Sequence, residues 1–139
     1  GEPEGVASLR ARVVHLRDAS PGTTVGYGAT YAARGWERWA TLAIGYGDGL
    51  PRALGNTGQA LLGGRRAPIV GRISMDLTVV NISGSDGVEP GDVATLIGES
   101  GTERITVDEV ARLAGTISYE VLTGLAPRLP RIWLDDGGS

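Results

Sequence analysis

Twenty-three of the 139 residues are glycine, and they are scattered between short apolar runs rather than gathered into one stretch. That is more than twice the usual share of about 7%. Dispersed glycine interrupts helices and supplies left-handed turn positions, so the pattern predicts many tight turns joining short strands. Six stretches between the turns have strand character: 9–17 (LRARVVHLR), 36–45 (WERWATLAIG), 58–62 (GQALL), 66–71 (RAPIVG), 74–82 (SMDLTVVNI) and 92–98 (DVATLIG). They are rich in Val, Ile, Leu, Thr and Trp and are bounded by Gly, Pro, Asn or Asp. Residues 42–44 (LAI) are apolar throughout, as in a strand covered on both faces, whereas 78–82 (TVVNI) partly alternates.

One helix is well marked. Thr106-Val107-Asp108-Glu109 reads as a capping box, with Thr106 accepting from the Glu109 amide and Glu109 reaching back. Val110 and Leu113 are three apart, and Gly115 stands where a C-terminal cap belongs. A second short helix starts at Ser118, carries Tyr119 and Glu120 in its first turn and ends near Gly124. Pro127 and Pro130 stop it, Arg131-Ile132-Trp133-Leu134 forms a last strand, and Asp135–Ser139 reads as a frayed tail. Many short strands with one or two brief helices predict a mainly β fold, an antiparallel, Greek-key-like β-barrel. No internal repeat or interior linker divides the chain, so residues 1–139 read as a single domain.

Composition narrows the function classes. Hydrophobic residues at 41% and charged residues at 21% are ordinary for a soluble globular protein. The net charge is −3 with no basic stripe, which argues against nucleic acid as the main partner. No apolar run approaches the roughly 18–20 residues needed to span a bilayer, and no signal peptide opens the chain. A cytoplasmic location is the default reading. The chain has no cysteine and one histidine, His15. A thiolate site is therefore impossible, and a metal-dependent hydrolase is remote. All 13 basic residues are arginine, so there is no lysine.

Chemistry then falls largely to four tyrosines. Tyr27 lies in Val25-Gly26-Tyr27-Gly28-Ala29-Thr30-Tyr31, and Tyr46 in Ile44-Gly45-Tyr46-Gly47-Asp48-Gly49. Glycines on both sides leave room for a ligand or second chain to approach the backbone. The plain alternative is that tyrosine suits strands and glycine suits turns. Neither string is a dinucleotide-binding loop, because Gly45-Tyr46-Gly47 lacks the third glycine and the following helix.

These two strings are followed by Gly71-Arg72-Ile73-Ser74-Met75-Asp76, Pro90-Gly91-Asp92-Val93, Ile105–Glu109, Thr116-Ile117-Ser118-Tyr119-Glu120 and Arg128-Leu129-Pro130-Arg131. Seven such motifs in this order resemble the C-terminal domain of bacterial alanine racemases, from about Leu9 to Trp133. The resemblance implies a two-domain parent, with an N-terminal TIM-type barrel that holds pyridoxal phosphate (PLP) as a lysine Schiff base. It also implies a head-to-tail homodimer in which this domain faces the partner's barrel. The enzyme would interconvert L-alanine and D-alanine for peptidoglycan precursors. Lacking a lysine, this chain would be inactive alone.

On the same resemblance Tyr27 is the catalytic tyrosine, opposite the lysine across the cofactor. Racemisation removes the α-proton from one face and returns it to the other, which suits one acid/base group per face. An unperturbed phenol, with a pKa of about 10, needs a nearby cation to act as a base at neutral pH. Tyr119 matches a tyrosine that hydrogen-bonds the PLP phosphate, or else anchors its helix to the core. Met75 matches a residue whose backbone N–H meets the substrate carboxylate, although its side chain could be core filler. Tyr46 matches the inner neck of the substrate channel. Arg52, Arg72 and Ile117 match its outer part, where two guanidinium groups would attract a carboxylate. Surface arginines in weak ion pairs are the simpler alternative. Asp76 reads as ordering its loop. Ser74 stands where relatives often carry cysteine, and Gly47 where they carry alanine; neither removes a catalytic group.

Two further readings stand beside this one. The first is a racemase of the same architecture acting on serine, lysine or a broad amino-acid range. The second is a non-catalytic β-barrel used for binding or dimerisation, against which the joint presence of Tyr27, Tyr46, Tyr119, Arg52 and Arg72 counts. The opening Gly1-Glu2-Pro3-Glu4-Gly5 has no initiator methionine and suits a cut near an interdomain linker.

Overall fold

The computed structural model describes residues 7–26, 28–125 and 133–136, with residues 7 and 133–136 described by their backbone alone. The organising element is β1 (Ala7–Ala19), a 13-residue strand that pairs antiparallel with three others. Its second half pairs with β2 (Glu37–Leu42), from Val13 opposite Leu42 to Ala19 opposite Glu37. Its first half lies between β6 (Val93–Ser100) and β8 (Trp133–Asp136). Beyond β6 come β3 (Gln59–Leu62) and β4 (Arg65–Pro68); beyond β2 comes β5 (Thr78–Asn81). Gly63 and Gly64, at φ +63° and +76°, join β3 to β4 in a two-residue turn whose central positions both need positive φ.

The main spatial order is β4-β3-β6-β1-β2-β5. Its outer strands approach each other where Ile69 bridges Val80 and the Val70 N–H donates to the Val79 carbonyl at 2.9 Å. The mainly antiparallel sheet with two helices agrees with the sequence reading. The sheet curls towards a barrel without closing, since among the described residues no full ladder seals the seam between β4 and β5.

The curl encloses a core that includes Leu9, Val13, Leu42, Ile44, Leu61, Val80, Ile82, Leu96 and Ile97, all at most 2% exposed. Each such side chain contributes about 1.5–3 kcal/mol through burial. A second, smaller cluster of Ala19, Val25, Ala33, Trp39 and Val70 lies apart from it. Strand β2 serves both clusters, with Ala40 and Leu42 in the first and Trp39 in the second. The expectation that 42–44 is covered on both faces fails: Leu42 and Ile44 are buried, but Ala43 is exposed.

Helix α1 (Val107–Ala114) begins as read, with Thr106 Oγ1 accepting the Glu109 N–H at 3.0 Å. It ends at Gly115 with φ +74°. The reciprocal half of the box is absent, because the Glu109 carboxylate is drawn to Arg66. That guanidinium donates to both Glu109 oxygens at 2.7 and 3.1 Å, to Gln59 Oε1 at 2.9 Å and to the Arg104 carbonyl at 2.6 Å. The Glu109 hydrogen bond first, then the Glu109 charge and Glu103 at 3.3 Å, raise the Arg66 pKa above its ordinary value against the opposing effect of burial. Arg66 thereby ties α1 to β3, β4 and β7 (Glu103–Ile105). Helix α2 (Ser118–Leu125) follows, its Ser118 hydroxyl bonded to Asp108.

Three local readings need correction. The expected strand 74–82 begins only at Thr78, because residues 74–77 form a turn closed by the Ser74 N–H on the Leu77 carbonyl at 3.0 Å. Strand β7 was not foreseen, being three residues long. Asp135 and Asp136 are not frayed: their backbone pairs with Ser8 and Ala7 of β1. Pro127, Pro130, Arg131 and Ile132 lie outside the described residues.

Candidate functional site

The β1–β2 connection is long and irregular, and its described residues are held together internally. Gly22 N–H donates to Ala33 O, Ala33 N–H to Thr23 O, and Val25 N–H to Tyr31 O, at 2.8, 2.8 and 3.1 Å. Its base is gathered by Glu37. That carboxylate accepts from the Tyr31 hydroxyl at 2.9 and 3.0 Å, the Trp39 indole at 2.9 Å and the Arg34 amide at 3.0 Å. Tyr31 and Trp39 also meet edge to face, with ring centroids 6.2 Å apart.

Burial by itself would raise the Glu37 pKa, but the bonds from Trp39, Arg34 and Tyr31 together bring it below the ordinary value. Burial, followed by the Glu37 hydrogen bond and charge, raises the pKa of Tyr31. A depressed carboxyl pKa stabilises the fold above the unfolded-state value, and this contribution disappears as pH falls through the folded value. Glu37→Gln is therefore expected to lower stability by about 1–2 kcal/mol at pH 7. The gap from wild type should narrow below about pH 4. Urea midpoints across pH check this, and a gap that does not change with pH would contradict it.

The tip of the connection carries the first tyrosine motif. Gly26, Gly28 and Ala29 have φ +50°, +84° and +47°, so left-handed residues flank position 27 on both sides. Tyr27 itself lies outside the described residues. A Cβ on Gly28 would sit 3.1 Å from the Arg72 guanidinium carbon, so that arginine lies directly against the loop.

The second motif forms a 3-10 turn at Tyr46–Asp48, closed by Asp48 Oδ2 accepting the Gly45 N–H at 3.1 Å. Its glycines make room for this chain's own backbone. The Tyr46 and Gly47 N–H groups donate to the Ser74 and Met75 carbonyls at 2.9 and 2.8 Å. A Cβ on Gly45 would fall 2.2 Å from the Ser74 oxygen. Thr78 adds a buried bond of 2.7 Å to the Ile44 carbonyl. The 44–47 and 74–78 segments thus form one rigid unit.

Between this unit and the Tyr27 loop opens a cleft of about 720 Å³, lined among others by Val25, Gly26, Tyr46, Arg52, Arg72 and Met75. Arg52 stacks its guanidinium 4.6 Å from the centre of the Tyr46 ring, a cation–π contact that orders both side chains at the rim. Two arginines and no carboxylate are among the described lining residues, so the cleft is suited to an anion. Among the described residues nothing accepts the Met75 backbone N–H.

The structure therefore brings together four of the seven candidate residues: Tyr46, Arg52, Arg72 and Met75. Ile117 and Tyr119 do not line this cleft. They stand at the start of α2, exposed by 64% and 75%. Helix α2 is nevertheless seated on the Tyr46 unit, since a Cβ on Gly49 would lie 2.2 Å from the Gly124 carbonyl oxygen.

Sequence reasoning overlooked Glu37 and Asn56, which organise the surroundings of the cleft. The string Gly55-Asn56-Thr57-Gly58 marked a turn, and asparagine between glycines was the available sign of a left-handed position. Glu37 between Trp36 and Arg38 offered no comparable sign.

Among the described residues no cluster of His, Cys, Asp or Glu could hold a metal ion, and no helix is long and apolar enough to cross a membrane. The fold and cleft define a mainly β domain with an arginine-lined opening of the kind suited to a small anion. The family model for the alanine racemase C-terminal domain matches residues 6–133, and the chain belongs to that family.

It is 43% identical over 126 residues to the alanine racemase of Halothermothrix orenii, covering 91% of this chain and 33% of the relative. With alanine racemase 2 of Bacillus subtilis it shares 42% identity over 135 residues, 96% of this chain and 34% of that protein. Among solved structures, Bacillus anthracis alanine racemase with bound L-Ala-P superposes with a TM-score of 0.80 at 40% identity, covering 85% of this chain and 30% of that one. The Bartonella henselae enzyme with covalently bound pyridoxal phosphate gives 0.79 at 36%, covering 85% and 32%. The chain spans about a third of the length of the curated relatives it matches.

Proposed function

We propose that this chain is the C-terminal domain, residues 1–139, of a cytoplasmic, PLP-dependent alanine racemase, and that it supplies an acid/base tyrosine and the substrate channel to the active site. The observation that carries the reading is the cleft that gathers Tyr46, Arg52, Arg72 and Met75 beside the Tyr27 loop. In the enzyme an N-terminal barrel would precede it and hold the cofactor on a lysine, since this chain has none. Two subunits would pair head to tail, each presenting this domain to its partner's barrel. The exposed Tyr46, Met75, Leu77, Ile117 and Tyr119 side chains suit a face that another domain covers.

When bound, PLP supplies the electron sink that makes the substrate α-proton removable. Tyr119, a largely exposed residue whose hydroxyl has no partner among the described residues, would donate to the cofactor phosphate. Arg52 and Arg72 draw an amino-acid carboxylate into the cleft, and the Met75 N–H donates a hydrogen bond to it there. Tyr46, braced by Arg52, narrows the passage and favours a small side chain such as the methyl of alanine. Tyr27 takes the α-proton on one face, or returns it, and the barrel lysine serves the other face.

The test is conversion of L-alanine to D-alanine by this domain joined behind a lysine-bearing racemase barrel. The joined protein is expected to racemise, while each piece alone does not. A folded, cofactor-loaded fusion without racemase activity would overturn the reading.

A further inference from the structure

Asn56 holds an unusual place between the two halves of the cleft. It adopts a left-handed backbone, φ +60°, at the turn before β3. From there its side-chain oxygen accepts the Gly71 N–H at 2.7 Å, and its side-chain nitrogen donates to Thr30 Oγ1 at 3.2 Å, with the Thr30 carbonyl 3.5 Å away. One amide thus joins two segments that are distant in sequence. Gly71 opens the run that carries Arg72 and Met75, and Thr30 lies three residues after Tyr27.

The need for such a clasp follows from the loop. Three left-handed residues, Gly26, Gly28 and Ala29, surround position 27. Glycine takes such a backbone freely, but Ala29 is held there at a cost, and a non-glycine residue in that conformation persists only when its surroundings over-determine it. The Glu37 cluster secures the base of the connection, but it bonds Tyr31, Arg34 and Trp39 rather than the tip. At the tip the described contacts are Asn56 on Thr30 and the Arg72 guanidinium against Gly28. Arg72 is itself set by Gly71, whose N–H Asn56 holds and whose backbone packs on Val25, a Cβ there falling 2.7 Å from Val25 Cγ1.

We infer that Asn56 is a positioning residue for the racemase reaction: it fixes the Tyr27 loop relative to the Arg72–Met75 segment, and so sets the tyrosine against the substrate carboxylate site. This rests on the role proposed above for Tyr27. The amide does not line the cleft and acts through the two segments it joins.

The two arms of the side chain can be separated. Asn56→Asp keeps an oxygen for Gly71 and tolerates the left-handed backbone, but loses the donor to Thr30. Asn56→Gly keeps the backbone freely and loses both arms. Both would be assayed in the fusion of this domain with a lysine-bearing barrel, beside Tyr27→Phe and the Tyr27→Phe/Asn56→Asp double variant.

Misplacing a reacting group by about 1 Å can cost about 100-fold. Asn56→Asp is therefore expected to lower kcat about 10-fold or more with KM within about twofold of wild type. Asn56→Gly is expected to lower kcat at least as much and also to raise KM, because the carboxylate segment is freed. Acting through Tyr27, the aspartate change should add little once the phenol is gone. An Asn56→Asp enzyme with wild-type kcat overturns the proposal, as does a double variant in which the two losses multiply. If Tyr27→Phe itself leaves kcat unchanged, the failure lies with the tyrosine's role and removes the premise.

Discussion

Tyr27→Phe, introduced into this domain behind a lysine-bearing barrel, is expected to lower kcat for alanine racemisation by about two to four orders of magnitude. KM should change by less than about threefold, since the phenyl ring keeps the bulk of the side chain and loses only the hydroxyl that carries the transferable proton. A loss in kcat that is matched in kcat/KM marks an interaction made in the transition state. The pH profile provides a second check. An ordinary phenol titrates at about pH 10, so a base that works near neutrality must have its anion favoured by neighbouring cations. On the proposed reading the barrel would supply those cations. The wild-type profile should therefore carry a limb that the Phe variant lacks. A Phe variant that retains full kcat would reduce this domain to a lid and a support for the dimer.

What could be read from the chain was whatever acts locally. Thr106 and Gly115 set the ends of α1 as expected, because a cap works within one turn. The two glycines at 63 and 64 fell between two correctly placed strand regions. Partial alternation over 78–82 emerged as Thr78, Val80 and Ile82 turned inward. What stayed hidden depends on partners far along the chain. Asp135 and Asp136 look like a polar tail until β1 pairs with them. Ser74-Met75-Asp76-Leu77 has strand composition, yet Ser74 closes a turn through its own hydroxyl and amide. Glu109 carries the capping-box signature, but Arg66, 43 residues away, takes its carboxylate.

The site divides in the same way. Its motif residues were visible as strings, whereas the close packing of Gly45 on Ser74 and the clasp at Asn56 exist only in three dimensions. The glycines beside Tyr46 appeared to leave space for a ligand, and this chain's own 74–75 backbone fills it.

That distinction between a glycine kept for its conformation and one kept for its lack of a side chain leads to the second large effect, at Gly49. Its φ is +98°, and a Cβ would sit 2.2 Å from the Gly124 carbonyl oxygen and 3.0 Å from the Leu125 Cα. The obstructing atoms are backbone, so no rotamer change relieves the overlap, and α2 must move away from the Tyr46 unit. Gly115 supplies the control, with φ +74° and nothing within 4 Å of the added atom. Gly115→Ala should cost about 1 kcal/mol, the strain of a left-handed alanine alone. Gly49→Ala should cost about 3 kcal/mol or more, because overpacking against a fixed partner adds to a similar strain. Urea denaturation of both variants measures the difference. The displacement should also reach function, since Tyr119 stands on the same helix: in the racemase fusion, Gly49→Ala is expected to weaken cofactor retention, and Gly115→Ala much less so. Equal destabilisation by the two substitutions would mean that α2 is not seated on Gly49 in solution.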